Sequence, residues 1–365
     1  MDKLQKRGEN SLNNWNLIYY LMILFAMNYD DVLKKARENL RGSCRVCPVC
    51  NGYACAGEVP GMGGKGTGDS FKENFNALNR YKLNMSVIHD AKNPDTSIEL
   101  FGKNMDIPVL AAPVSGTTLN MGGKFTEEEY ISWIIGGCLD GGIYPIVGDT
   151  AVDSFLITNL QKLKEYGGRG IAVIKPWENE NVIGKIKIAE KAGVFAVGMD
   201  IDAAGLITLA IHGKPVGPKT IDEIEEIVKS TELPFILKGI MTADEAELAV
   251  RAGVSAIVVS NHGGRVLDQT PGVADVLPDI AKAVKGRVTI LADGGIRSGV
   301  DVLKMLALGA DAVLIGRPFV TASFGGQRDG VKLYVENLKS ELKSAMVLTG
   351  CKSVKDIDSR ILYNR

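Results

Sequence analysis

Three stretches of this chain repeat one pattern, and that pattern constrains the fold more than any other feature. They are Ala192-Gly-Val-Phe-Ala-Val-Gly-Met, Ala252-Gly-Val-Ser-Ala-Ile-Val-Val and Leu308-Gly-Ala-Asp-Ala-Val-Leu-Ile. In each, a helix-like stretch ends on a glycine, where a left-handed cap is needed, two residues turn the chain, and a short apolar run begins. A run without polar alternation is what a parallel strand covered on both faces requires. The repeated unit is therefore helix then strand, the building block of α/β architecture.

Carried along the chain, the same reading gives eight candidate strands at 109–113, 144–148, 170–174, 196–200, 235–239, 256–260, 289–293 and 312–316. Helical patterns lie between them, including 131–138, 154–164, 242–252 and 299–308. Eight alternations are the count of a (β/α)8 TIM barrel. A doubly wound sheet would need a G-x-G-x-x-G after its first strand, and none follows 109–113. The expected organisation is an N-terminal helical, cysteine-rich extension over 1–106, the barrel over 107–349 and a tail over 350–365. The 365 residues suit that division, since such a barrel takes about 250.

Lys+Arg 42 against Asp+Glu 43 leaves a net charge of -1, so nothing favours nucleic acid or an anionic membrane as partner. An apolar run at 17–27 follows Lys3, Lys6 and Arg7. It is shorter than the roughly 17 to 25 residues of a membrane span, and Met27-Asn-Tyr-Asp-Asp offers no small-residue cleavage site. A short packing helix is expected there. Met27 also reads as a start, because an amphipathic helix begins at Tyr29; residues 1–26 would then have no functional role. Without an export signal the expected location is cytoplasmic, with reduced thiols.

Glycine, 42 residues of 365, exceeds the average usage of about 7%. One glycine-rich stretch, Gly57-Glu-Val-Pro-Gly-Met-Gly-Gly-Lys-Gly-Thr-Gly, has Gly66 after Lys65 where a Walker A motif needs Ser or Thr. It reads either as a mobile loop or as a lid over the barrel mouth.

In a barrel, catalytic residues sit at the carboxyl ends of strands, and phosphate is often held after the seventh and eighth. The seventh ends Leu291-Ala-Asp-Gly-Gly-Ile-Arg-Ser-Gly and enters a helix, so backbone amides, a helix N-terminus and Arg297 converge on an anion. The eighth ends Ile315-Gly316-Arg317-Pro318, where glycine permits close approach and arginine pairs with phosphate. Either motif alone is an ordinary turn with a surface arginine; both at adjacent strands read as a phosphate site. The sixth strand ends Ser260-Asn-His-Gly-Gly-Arg. There His262 suits a base near neutral pH, and Arg265 suits a carboxylate. Lys238, ending the fifth strand, needs an anionic or electron-rich partner. Asp200 and Asp202 end the fourth, where a carboxylate could orient the histidine. His89 and His212 read as surface or loop residues.

Together Leu237-Lys-Gly-Ile, Ser260-Asn-His-Gly-Gly-Arg, Ala292-Asp-Gly-Gly-Ile-Arg-Ser-Gly and Leu308-Gly-Ala-Asp-Ala-Val-Leu-Ile-Gly-Arg-Pro resemble the FMN-dependent α-hydroxy-acid oxidising family, which includes glycolate oxidase, lactate oxidase and flavocytochrome b2. The likeness is dense over 235–320 and collinear back to about Tyr29. It implies FMN on the barrel with Lys238 at the flavin N1/O2 edge. It also implies His262 as catalytic base, Asp202 as its carboxylate partner and Arg265 as ligand of the substrate carboxylate. Ser260, Asp293, Gly294, Gly295, Arg297, Gly316 and Arg317 would hold the rest of the cofactor, with Ala112 and Pro113 over the flavin. Family habit adds a homo-oligomer, a tetramer.

The departures matter equally. The family's N-terminal tyrosine falls where this chain carries cysteines. Its strand-three Gln-Leu-Tyr stands here as Ala172-Val-Ile174 followed by Lys175, its strand-four threonine as Asp200, and its second substrate arginine has no counterpart in 203–210. Losing one such clamp removes about 1.5 to 3 kcal/mol. The leading expectation is oxidation of a lactate-like L-2-hydroxy acid to its 2-oxo acid, hydride passing to flavin. The competing readings are an FMN-dependent isomerase of the type 2 isopentenyl-diphosphate isomerase kind and a non-catalytic flavin sensor.

Cys44, Cys47, Cys50 and Cys55 are spaced C-x2-C-x2-C-x4-C. That is near the iron–sulfur run C-x2-C-x2-C-x3-C-P, and four thiolates also suit zinc. Reduced, unliganded thiols are the alternative; four within twelve residues favour a metal, zinc or iron–sulfur. An iron–sulfur centre would imply a protein electron acceptor. The clustering resembles that of a clostridial subgroup of the family.

Overall fold

The computed structural model describes residues 28–213 and 216–363. The apolar run at 17–27, the start proposed at Met27 and the segment 1–26 lie outside the described residues.

Eight parallel strands close into a barrel: β1 (Val109–Ala111), β2 (Tyr144–Gly148), β3 (Ile171–Ile174), β4 (Ala196–Asp200), β5 (Phe235–Ile240), β6 (Ala256–Val259), β7 (Thr289–Ala292) and β8 (Ala312–Ile315). β8 returns to β1, with Val313 beside Val109. Every residue of β1, β3, β4, β6 and β8 is buried, which is why these segments read as unbroken apolar runs. Ser260, Asp293 and Gly316 stand one residue past their ladders, so the chemistry-bearing residues fall at the mouth.

Helices α1 (Tyr29–Asn39) and α2 (Asp69–Arg80) precede the barrel, and α3 (Glu127–Asp140), α4 (Asp153–Glu165), α5 (Asn179–Lys191), α6 (Ile221–Lys229), α7 (Ala243–Arg251), α8 (Val273–Val284) and α9 (Gly299–Ala307) alternate with its strands. Thr126 with Glu129, Thr220 with Glu223 and Ser298 with Asp301 form capping boxes that start α3, α6 and α9. The last helix, α10 (Arg317–Thr349), bends at Gln327, where φ is +52°. Against it lies α1: Tyr29 stacks on Tyr334 at 5.7 Å, Val32 and Ala36 are buried, and a Cβ on Gly325 would lie 2.0 Å from the Val32 carbonyl. Only glycine permits that approach.

The extension also carries a hairpin, Ile98–Leu100 with Lys103–Met105. Residues of the C-terminal tail pair back onto the extension, Ser353 with Asp95 and Leu362 with Leu83. No helix among the described residues is long and apolar enough to cross a membrane.

Candidate active site

The ends of β4 to β7 share one buried ionic network. Asp200 and Lys238 face each other in register across β4 and β5. A register shift follows Lys238, and Gly239, at φ +112°, takes up the distortion. A Cβ there would lie 2.6 Å from the Asp202 side chain, so glycine lets Asp202 close over the strand end. Lys238 Nζ donates to Ser260 Oγ at 2.9 Å and lies 3.5 Å from Asp293 and 4.0 Å from Asp200. Ser260 Oγ in turn donates to Asp293 Oδ2 at 2.8 Å and accepts the His262 amide at 3.0 Å. Burial opposes the Lys238 charge, yet Asp202, Asp293 and Asp200 outweigh it and raise its pKa above the ordinary value.

His262 sits in the left-handed region at φ +57°. Its Nδ1 lies 2.9 Å from Asp202 Oδ1 and 3.4 Å from Asp200 Oδ1. A carboxylate at Nδ1 fixes the proton there, leaving Nε2 as the basic atom. Nε2 has no protein partner among the described residues. The turn is braced from behind by α2: Asn74 donates to Asn261 at 2.7 Å, and Cβ atoms on Gly264 and Gly295 would lie 2.4 Å and 2.2 Å from the α2 backbone.

At the family's threonine position, and one residue beyond its strand-three tyrosine position, the structure holds an ion pair: Lys175 Nζ donates to Asp200 Oδ2 at 2.5 Å, both buried. Burial works against the Asp200 charge, but Lys175, His262 and Lys238 together hold its carboxyl well below the usual range. Asp202 moves the other way, raised by burial and then by Asp200. Asp200, Asp202 and His262 are the one trio among the described residues whose ligand atoms lie within 4.8 Å of one another. Lys175 and Lys238 already supply countercharge, so the trio is an ionic network rather than a cation site. Sequence reasoning missed a third buried acid on the wall, in addition to Asp200 and Asp293. Asp149 accepts from Trp177 at 2.5 Å and from Lys185 at 2.9 Å, partners far along the chain that leave no local signature.

The stretch 57–68 is a fixed lid. Lys65 donates to the carbonyls of Val266 and Gly205, and Asp268 accepts from Thr67 and Asp69. Three arginines then hold the lid and the cysteine segment by backbone carbonyls. Arg265 Nη1 donates to Gly61 and Gly63 at 2.6 and 3.1 Å, and Nη2 to Asn120 at 2.9 Å. Arg317 donates through Nε to Met62 at 2.7 Å and through Nη2 to Gly63 and Gly263 at 3.0 Å, with Phe71 stacked 3.8 Å from its guanidinium. Arg297 donates to Cys50 O through Nε and Nη2 and to Ile296 O through Nη1. A guanidinium has five N–H donors. Arg265 thus keeps its Nε–H and one Nη2–H, and Arg317 its Nη1 pair, for ligands; Arg297 is largely committed to the cysteine segment. Burial, then Arg317, pushes Arg265 down to about 9, and burial pushes Arg317 down to about 10, so both stay charged at neutral pH.

These side chains line one cavity that opens to solvent. Ala112, Pro113, Lys238, His262, Arg265, Asp293, Gly294, Gly295, Arg297, Gly316 and Arg317 are all on its wall. Ser260, fully buried, acts from behind through Lys238 and Asp293. The cavity fits FMN chemically. Among the described residues Asp293 Oδ1 is buried without a partner, and a buried carboxylate oxygen calls for a donor such as a ribityl hydroxyl. Lys238 presents a cation to an electron-rich ring edge, and the Gly294-Gly295 turn lets backbone approach a ligand.

The comparisons with known proteins agree. The family model described as FMN-dependent dehydrogenase matches residues 61–210 and 210–364. The chain is 33% identical over 337 residues to 4-hydroxymandelate oxidase of Amycolatopsis orientalis, covering 80% of this chain and 89% of that one. It is 29% identical over 316 residues to L-lactate oxidase of Lactobacillus jensenii, covering 79% and 76%. A crystal structure of mandelate oxidase superposes with a TM-score of 0.76 at 30% identity, covering 93% of this chain and 98% of that one. The chain therefore belongs to the FMN-dependent α-hydroxy-acid oxidising family, and FMN is its cofactor.

Proposed function

We propose that this enzyme oxidises a lactate-like L-2-hydroxy acid to the 2-oxo acid, with His262 as base. The observation that carries the reading is the His262–Asp202 pair at 2.9 Å, with Nε2 unpartnered on the wall of the cavity. In this reading Nε2 takes the substrate hydroxyl proton, and Asp202, held at Nδ1, stabilises the imidazolium that forms. FMN, when bound, supplies the two-electron sink for the C2 hydrogen and its electron pair. Arg265 binds the carboxylate through its Nε–H and remaining Nη2–H, charge-assisted bonds that orient C2. Lys238 balances negative charge at the cofactor edge. Leu119, Leu206, Leu209 and Met62 form an apolar wall of the same cavity, which suits an alkyl or aryl side chain on the substrate better than none.

Lys175 lines the same cavity, but Asp200 neutralises it, so a single arginine carries the carboxylate. Anaerobic mixing of the flavoprotein with glycolate, L-lactate, L-2-hydroxyisocaproate and L-mandelate tests the reading. Flavin bleaching by the L acids with an apolar side chain, faster than by glycolate, is expected; no bleaching by any of them would overturn it. The cytoplasmic location and the tetramer belong to the same reading, and light scattering of the holoenzyme measures the latter.

A further inference from the structure

The mechanism leaves four thiols without a role. Cys44, Cys47, Cys50 and Cys55 are all free and half-buried, in a segment fixed to the barrel mouth. We propose that they are the thiolate ligands of an iron–sulfur cluster seated beside Arg297.

Backbone strain points to Cys44. Val46 adopts φ +46°, a strained conformation that a β-branched residue rarely takes. In that conformation its amide donates to Cys44 Sγ at 3.4 Å. Arg37 locks the turn, donating to Val46 O at 2.9 Å and Arg45 O at 3.3 Å. A backbone N–H aimed at sulfur stabilises a metal-bound thiolate, and such bonds tune iron–sulfur centres. Cys50 receives a second donor, Arg297 Nη2, at 3.6 Å from its sulfur. That cation offsets part of the charge that four thiolates bring.

Spacing then separates one ion from a cluster. Zinc holds thiolates at about 2.3 Å, which puts sulfurs about 3.8 Å apart in a tetrahedron. Among the described residues no three of these sulfurs lie within 4.8 Å of one another. The four nonetheless share one twelve-residue segment that is pinned along its length, at Cys50 by Arg297 and at Cys55 by the Gly64 amide, which donates to its carbonyl at 3.2 Å. Four thiols in one pinned segment, with no three sulfurs as close as a single ion needs among the described residues, suit a multi-iron core. The three closely spaced cysteines agree, since iron–sulfur runs group three at x2 gaps whereas zinc sites usually separate two pairs. Arg297 both touches Cys50 and lines the flavin cavity, so the cluster would sit next to the cofactor.

The test is the metal content of the native protein purified without oxygen, and again after reconstitution with ferrous iron and sulfide under reducing conditions. Iron and acid-labile sulfide in equal amounts, about two or four per chain, are expected, with an electron paramagnetic signal on dithionite reduction. Cys47→Ser and Cys50→Ser should lose both, while Cys351→Ser, outside the cluster, should keep both. FMN per chain, measured separately, reports whether the variants still fold. One zinc per chain without sulfide overturns the cluster, and no metal after reconstitution overturns the site. Neither readout depends on whether a hydroxy acid reduces the flavin.

Discussion

The strand ends and the lid, with the cysteine segment that precedes it, meet at the barrel mouth but are held there by opposite means. At the strand ends, side chains satisfy side chains: Lys175 with Asp200, Lys238 with Ser260 and Asp293, His262 with Asp202. In the lid and the cysteine segment the backbone does the binding, with the carbonyls of Cys50, Gly61, Met62 and Gly63 accepting from Arg297, Arg265 and Arg317. The difference teaches where each region is vulnerable. Removing one strand-end charge leaves its partner buried and uncompensated. A lid contact shares its arginine with other acceptors, and most lid side chains can change without touching it.

The largest expected effect is on chemistry. His262→Gln keeps a polar side chain of similar reach but removes the base, and the rate of flavin reduction by an accepted hydroxy acid should fall about 10²- to 10⁴-fold. FMN content should stay near that of the parent protein. If the cofactor is lost instead, the strand-end network is a cofactor scaffold first, and the division of labour drawn above fails.

Next in size is Lys175→Met, which fills the space but leaves the buried Asp200 carboxylate without its ammonium. Breaking such a pair by removing one partner costs about 3 to 5 kcal/mol. Urea denaturation of the holoenzyme measures it. A loss under about 1 kcal/mol would mean that Lys238 and His262 suffice and that the strand ends tolerate loss of a charge as the lid tolerates loss of a contact.

Gly63→Ala probes the lid at the one kind of position where its side chain matters. A Cβ there would meet the Cys55 carbonyl at 2.1 Å and the Glu58 carbonyl at 2.9 Å, so backbone must shift at the residue whose own carbonyl serves both Arg265 and Arg317. A cost of about 1 to 3 kcal/mol is expected, with faster alkylation of the four cysteines by iodoacetamide. An unchanged alkylation rate would show that the arginines do not fix the segment.

The same contrast explains what the sequence disclosed. Buried parallel strands leave apolar runs, so all eight were legible, and the placement of His262, Asp202, Lys238, Arg265 and Asp293 at the barrel mouth followed from their position at the ends of those runs. The Lys175–Asp200 pair was half legible: both residues end apolar runs, but only the closed barrel puts β3 beside β4. Asn120, which accepts from Arg265, and the lid carbonyls had no signature at all, because every residue carries a carbonyl and only tertiary structure aims it. The lid was therefore visible as glycine excess, while its grip on three arginines was not.

The smallest effect is set by pH and tests the sign of the strand-end electrostatics. Asp200 faces Lys175, Lys238, His262 and the like-charged Asp202, and the cations win, holding its carboxyl well below the usual range despite burial. A carboxylate depressed on folding contributes stability that is fully present above its unfolded pKa, about 3.9, and is lost as pH falls towards the folded value. Asp200→Asn removes that titration while keeping the shape, and at neutral pH it should be the less stable protein because Lys175 is left unpaired. The gap between the two should be flat above about pH 5 and narrow below about pH 4, by at most about 1.4 kcal/mol per unit. Denaturant titrations of both proteins across that range would show it. A gap that widens as pH falls would reverse the sign: Asp200 would then be protonated in the native state, burial would outweigh the three cations, and the strand ends would be held by packing, as the lid is held by backbone, rather than by charge.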